Sequence, residues 1–128
     1  MKEHRKHTRL PLELVAEIKL ANGTIYKGVT KNISFGGVFF RISGFTGLKE
    51  GDRCIFAIIL REEADRLSID FSIEVVHIQN SGMGLRFISI NGADAYTHFK
   101  NLMVMNSPDP DKLLEELELH PGIVLKDD

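Results

Sequence analysis

The chain has 128 residues, 43% of them hydrophobic and 27% charged, enough for one packed core and too short for two generous domains. A lone cysteine, Cys54, excludes an internal disulfide and a cysteine-rich zinc site. The charged start leads into no apolar run of the roughly 20 residues that a membrane span needs, so a cytoplasmic protein without membrane insertion is expected. The formal net charge of −2 is unevenly spread. Residues 1–10 carry Lys2, Arg5, Lys6 and Arg9 against Glu3, whereas the segment from 107 to 128 carries seven carboxylates against Lys112 and Lys126. A short positive arm suits a compact anion, and a pI near 6.2 argues against long nucleic acid, which needs a broad basic face.

Three segments follow: a flexible basic arm at 1–12, a β-rich body with one packing helix at 13–106, and an acidic, helical extension at 107–128. From Glu13 to Ile90, β-branched and aromatic residues alternate between turn signals, a pattern of half-buried strands. Glu13 to Ala21 presents Leu14, Ala16, Ile18 and Leu20 on one face. Asn22-Gly23 predicts a type I′ turn into an antiparallel partner that starts at Thr24. Ser34-Phe35-Gly36-Gly37 turns the chain into a short strand, Val38 to Ser43, followed by a loop from Gly44 to Gly51. Asp52 to Arg61, Leu67 to Gln79 and Met83 to Ile88 supply the remaining strands. Six strands with short connections predict a mainly β, six-stranded antiparallel barrel, since closure leaves no long unpaired edge. After Ile90 the period lengthens: Asn91 is placed to cap a helix over Ala93 to Met105. A second helix, Pro110 to His120, starts on proline and shows Leu113, Leu114 and Leu117 on one face. The apolar Ile123-Val124-Leu125 beyond it can pack on the barrel, join a dimer or meet a partner.

Two constellations carry recognition chemistry. Arg5-Lys6-His7-Thr8-Arg9 puts two arginines four residues apart on a segment without strand pattern; extended, their Cα atoms lie up to roughly 13–14 Å apart. Guanidinium pairs bidentately with phosphate or with the O6/N7 edge of guanine and also stacks on a base. Asn32-Ile33-Ser34-Phe35-Gly36-Gly37 ends a strand; in extended geometry Asn32 and Ser34 share a face, and the glycines allow close approach. An amide and a hydroxyl match a purine edge. Singly, the first is also what a solvated tail contains, and the second what an ordinary hairpin turn contains. The other candidates are bland: His4 and His7 lack a third metal ligand, Cys54 sits in an apolar run, and Glu62, Glu63 and Asp65 form a polar loop. No catalytic, metal or cofactor residue is assigned.

Arg-x-x-x-Arg ahead of a strand, then Asn-x-Ser-x-x-Gly-Gly two strands later, then Gly82-Met83-Gly84-Leu85-Arg86-Phe87 on the closing strand, together resemble the PilZ domain family over about Arg5 to Met105. The resemblance implies a non-enzymatic receptor for cyclic di-GMP. In it Arg5 and Arg9 contact phosphates and guanine, and Asn32, Ser34 and Gly37 line the pocket, with His4, Lys6, Gly36 and Arg86 as secondary members. Many relatives have aspartate where this chain has Asn32; an aspartate accepts from two guanine N–H groups and asparagine from one, which predicts modestly lower affinity. His4 bears on whether one ligand or a stacked pair binds. In the expected action the arm orders on the ligand and changes a surface for an unidentified downstream protein in motility, pilus or exopolysaccharide control, the chain being a monomer or weak dimer. Two other readings stand beside it: an adaptor of the same fold that does not bind the nucleotide, and a barrel for single-stranded nucleic acid. The latter needs stacking aromatics on a basic face, for which only Phe39-Phe40-Arg41 offers itself. The acidic extension also raises the idea of a cover over the basic arm that ligand displaces.

Overall fold

The computed structural model describes residues 7–42 and 47–126. Among the described residues seven strands are formed: β1 (Val15–Lys19), β2 (Ile25–Ile33), β3 (Gly37–Arg41), β4 (Arg53–Arg61), β5 (Leu67–Gln79), β6 (Gly82–Asn91) and β7 (Val124–Lys126). Helices α1 (Ala93–Met105) and α2 (Pro110–Leu119) lie between β6 and β7. The sheet order β3-β2-β1-β4-β5-β6 is closed by antiparallel pairing of β3 with β6, so the first six strands form a barrel. Its positions alternate as expected: Ala16 and Ile18 on β1 and Phe56 and Ile58 on β4 point into the core and are fully buried. The hairpin between β1 and β2 forms, but without the type I′ turn. Gly23 N–H donates to the Leu20 carbonyl at 2.9 Å, and only Gly23, at φ +92°, adopts the left-handed region. This is a three-residue loop, in which Asn22 is spared a positive φ and its side chain accepts from Thr24 N–H.

The core is aromatic. Phe71 and Phe87 stack at 4.2 Å between centroids, and Phe99 of α1 meets both edge-on, at 5.0 and 5.6 Å. Phe99 is the residue through which α1 docks on the barrel, with Met103 one turn on, both fully buried. Asn91 does not cap this helix. It is the last residue of β6, paired with Lys126, and Gly92 stands at the N-cap at φ +100° with no side-chain bond. In α2, Pro110 opens the first turn, as its sequence predicts, and Asp109 caps it by accepting from Lys112 N–H. Leu113 and Leu117 are buried while Leu114 faces outward, because positions four apart share the docked face and the one between them turns away. The extension then adds β7, parallel to Ser89–Asn91 of β6, with Ile123 buried. A three-residue strand is too short to leave a periodic signal. No helix among the described residues is long and apolar enough to cross a membrane.

Barrel closure depends on a bare backbone at Gly37. A Cβ there would stand 2.3 Å from the Leu85 carbonyl oxygen, a backbone atom that cannot step aside. Gly37→Ala is therefore expected to destabilise the domain by about 1–3 kcal/mol, read as a lower urea midpoint at unchanged slope; an unaltered midpoint would show that β3 and β6 adjust freely.

Candidate functional site

A cleft of about 460 Å³ lies on the outer barrel face where β2, β3, β6 and β5 adjoin. Arg9, Lys31 and Arg86 are among its lining residues, and among the described residues no carboxylate is. The cleft is built by register. Asn32 pairs with Phe39, Phe39 with Gly84, and Gly84 with His77, so these four residues form one row across four strands. Gly84 leaves room for the two rings beside it: Phe39 and His77 stack at 6.0 Å with planes 28° apart, and a Cβ on Gly84 would fall 2.2 Å from the His77 ring. Lys31 reaches over the Phe39 face at 6.0 Å.

Asn32 belongs to this row because of an irregularity. Thr30 faces the core, fully buried, and strict alternation would send Asn32 inward as well. A bulge between Thr30 and Asn32 leaves Lys31 unopposed and shifts the phase, so that Ile33 becomes the core residue and Asn32 reaches the cleft. The Asn32 side chain lines the cleft and makes no side-chain hydrogen bond to another described residue.

Ser34 is differently employed. Its hydroxyl accepts from Gly36 N–H at 3.1 Å and Gly37 N–H at 3.2 Å, and lies 3.3 Å from the Gly37 carbonyl, to which it donates. One donor and two acceptor sites are thereby used up. Ser34 lines the cleft, but its main work is to hold the turn. Within that turn Phe35 is buried, edge-on to Phe99 at 5.5 Å, so the recognition turn is anchored directly in the core. Arg86 lines the cleft and is paired with Glu74 across the strands.

The arm reaches the same place from the opposite side. Leu10 and Ile33 exchange backbone hydrogen bonds at 2.7 and 2.9 Å, and Leu10 is buried. One residue earlier, Arg9 lines the cleft, exposed and without an ion-pair partner among the described residues. Structure therefore brings Arg9, Asn32, Ser34, Gly36, Gly37 and Arg86 together. Arg5, His4 and Lys6 lie outside the described residues. Lys31, Phe39, His77 and Gly84 were not singled out as cleft residues from the sequence, since cross-strand register and the bulge leave no local pattern.

A family model, the PilZ domain, matches residues 3–104. The chain belongs to the PilZ domain family. Solved structures agree on the fold. The Bacillus subtilis inhibitor of motility MotI/DgrA aligns with a TM-score of 0.60 at 20% identity, over 75% of this chain and 48% of that one. YcgR from Escherichia coli in complex with c-di-GMP aligns at 0.60 and 14% identity, over 88% and 50%. The PilZ domain of CeSA from a cellulose synthesizing bacterium gives 0.54 at 20% identity, over 74% and 93%. This PilZ chain thus spans about half the length of MotI and of YcgR. No curated protein sequence matches it significantly.

Elsewhere, burial and the nearby Asp52 charge push the Cys54 thiol up from 9.0 to about 11, which keeps it protonated and unreactive near neutrality. At pH 8 the native thiol should react with a disulfide reagent roughly a hundredfold more slowly than in urea, from its thiolate fraction alone; equal rates would contradict this. Ser34→Ala leaves two amides of the turn without their acceptor and should cost about 1–3 kcal/mol, measured by chemical denaturation. A neutral result would mean that the turn holds without the hydroxyl.

Proposed function

We propose that this PilZ domain is a cytoplasmic, non-enzymatic receptor for cyclic di-GMP, which binds in the cleft between the arm and the β2–β3 turn. The observation that carries the reading is the meeting of Arg9 with Asn32 at one cleft whose charged lining, among the described residues, is cationic. A cyclic dinucleotide carries two phosphates and two guanines, and the lining offers a partner for each. Arg9, with Arg5 preceding it on the arm, supplies bidentate donors for phosphate or for the guanine O6/N7 edge. The Asn32 amide supplies an acceptor for guanine N–H and a donor besides. Phe39 and His77 supply a flat face of the kind on which bases stack. Lys31 adds charge at the rim.

Support comes also from the ligand bound to a structural relative, YcgR in complex with c-di-GMP, and the motility role named for MotI makes control of motility or of a surface structure through a downstream protein the natural output. Ligand would fix the arm at the cleft, where Arg9 already lies, and so alter the surface that a partner reads.

Isothermal titration with cyclic di-GMP tests the reading. The wild type should bind at micromolar levels or better. Arg9→Ala should weaken binding by about 1.5–3 kcal/mol, the worth of a charge-assisted hydrogen bond, and His77→Ala by about 1–3 kcal/mol of lost stacking. Absence of heat at tens of micromolar would reject the receptor and favour an adaptor of the same fold, whereas salt-sensitive shifting of single-stranded oligonucleotides would point to nucleic acid.

A further inference from the structure

The acidic extension touches the arm at Thr8, and among the described residues it does so without an ion pair to Arg9. Glu116 of α2 takes two hydrogen bonds from one residue: Thr8 N–H donates to Oε1 and the Thr8 hydroxyl to Oε2, both at 2.7 Å. Both bonds are partly buried and their acceptor is charged, which places them among the stronger hydrogen bonds. His7 adds a second fastening. Its Nε2 bonds the His120 carbonyl beyond the end of α2, its ring meets Phe35 edge-on at 6.4 Å, and it fits between two glycines. A Cβ on Gly36 would stand 2.9 Å from its Nδ1, and one on Gly122 3.2 Å from its Cε1. His7 and Thr8 are thus held between the recognition turn and the extension. The next residue is Arg9, at the cleft, and the next again is Leu10, bonded to Ile33.

We propose that Glu116 is a positioning residue for the arginine arm: the extension holds Thr8 so that Arg9 is already at the cleft when ligand arrives. This rests on the receptor reading above. The extension is then a latch that favours binding, the reverse of a cover that ligand must displace. A site whose competent form is only partly populated binds more weakly in proportion to that fraction, so freeing Thr8 lowers affinity without touching a ligand contact. Coupling of this kind is reciprocal: ligand that holds the arm also steadies α2, which gives the messenger a route to a surface away from its own cleft.

The experiment uses the full chain, with cyclic di-GMP as probe and circular dichroism as the check on folding. Glu116→Ala and Thr8→Val should each raise Kd roughly five- to tenfold, and the double variant should be no worse than either single one. Thr8→Ser, which keeps the hydroxyl, should bind like wild type. Glu115→Ala, on the exposed side of the same helix, serves as control for a loss of helix charge. Hydrogen exchange supplies a readout independent of affinity: the Thr8 amide, protected in the wild type, should exchange faster in Glu116→Ala, and ligand should slow exchange in α2 of the wild type more than in that variant. Unchanged or tighter binding by Glu116→Ala, with wild type binding normally, overturns the latch and leaves the receptor standing. Silence from the wild type itself overturns the receptor reading and the coupling with it.

Discussion

Burial of Phe35 is the constraint on which the rest of the site depends. The turn that carries the recognition residues would otherwise be a mobile hairpin, and Phe35 drives it into the barrel mouth against Phe99, the same ring through which α1 docks on Phe71 and Phe87. Core packing and site geometry are therefore one structure. The His7 ring lies against Phe35 as well, which brings the arm to the turn. A large apolar ring in the middle of a polar motif is what makes a rigid site out of residues that would otherwise only make a loop.

Around this anchor the polar groups divide into those already satisfied and those left over. Ser34 spends all of its bonding capacity on the turn, Gly37 is bare because the β6 backbone passes there, and Arg86 is neutralised by Glu74. Arg9, Asn32 and Lys31 retain unspent charge or hydrogen-bonding capacity beside an aromatic wall. Recognition thus falls on few residues and scaffolding on the rest. Interactions with a cation and an amide that have no partner among the described residues need no native bond between those residues to be broken first, and that favours affinity.

Much of the fold was legible because its signals are local. Alternation marked the six barrel strands, the change of period marked α1 over Ala93–Met105, and Pro110 marked the start of α2. What escaped detection was non-local or irregular. The bulge at Lys31 overrides strict alternation, the row from Asn32 to His77 exists only through pairing of four strands, and β7 is held by a partner some 35 residues away in sequence, Ser89 against Val124. Asn91 illustrates the limit of local signals: as a cap it suits the sequence, yet the ladder with Lys126 claims it for β6. Of the site, the motif residues were visible as chemistry, but the separate employment of Ser34 and Asn32 required the geometry.

Arm and barrel meet at the cleft, and ligand should report on both at once. Backbone amide chemical shifts of the labelled full chain, followed while cyclic di-GMP is titrated, test this most directly. The largest changes should fall on Thr8 to Leu10, on Lys31 to Phe39 and on His77 to Arg86, and should saturate with one common affinity. Saturable changes centred on another face of the barrel, such as the β1 and β4 surface around Glu17 and Arg66, or no changes at all, would contradict it.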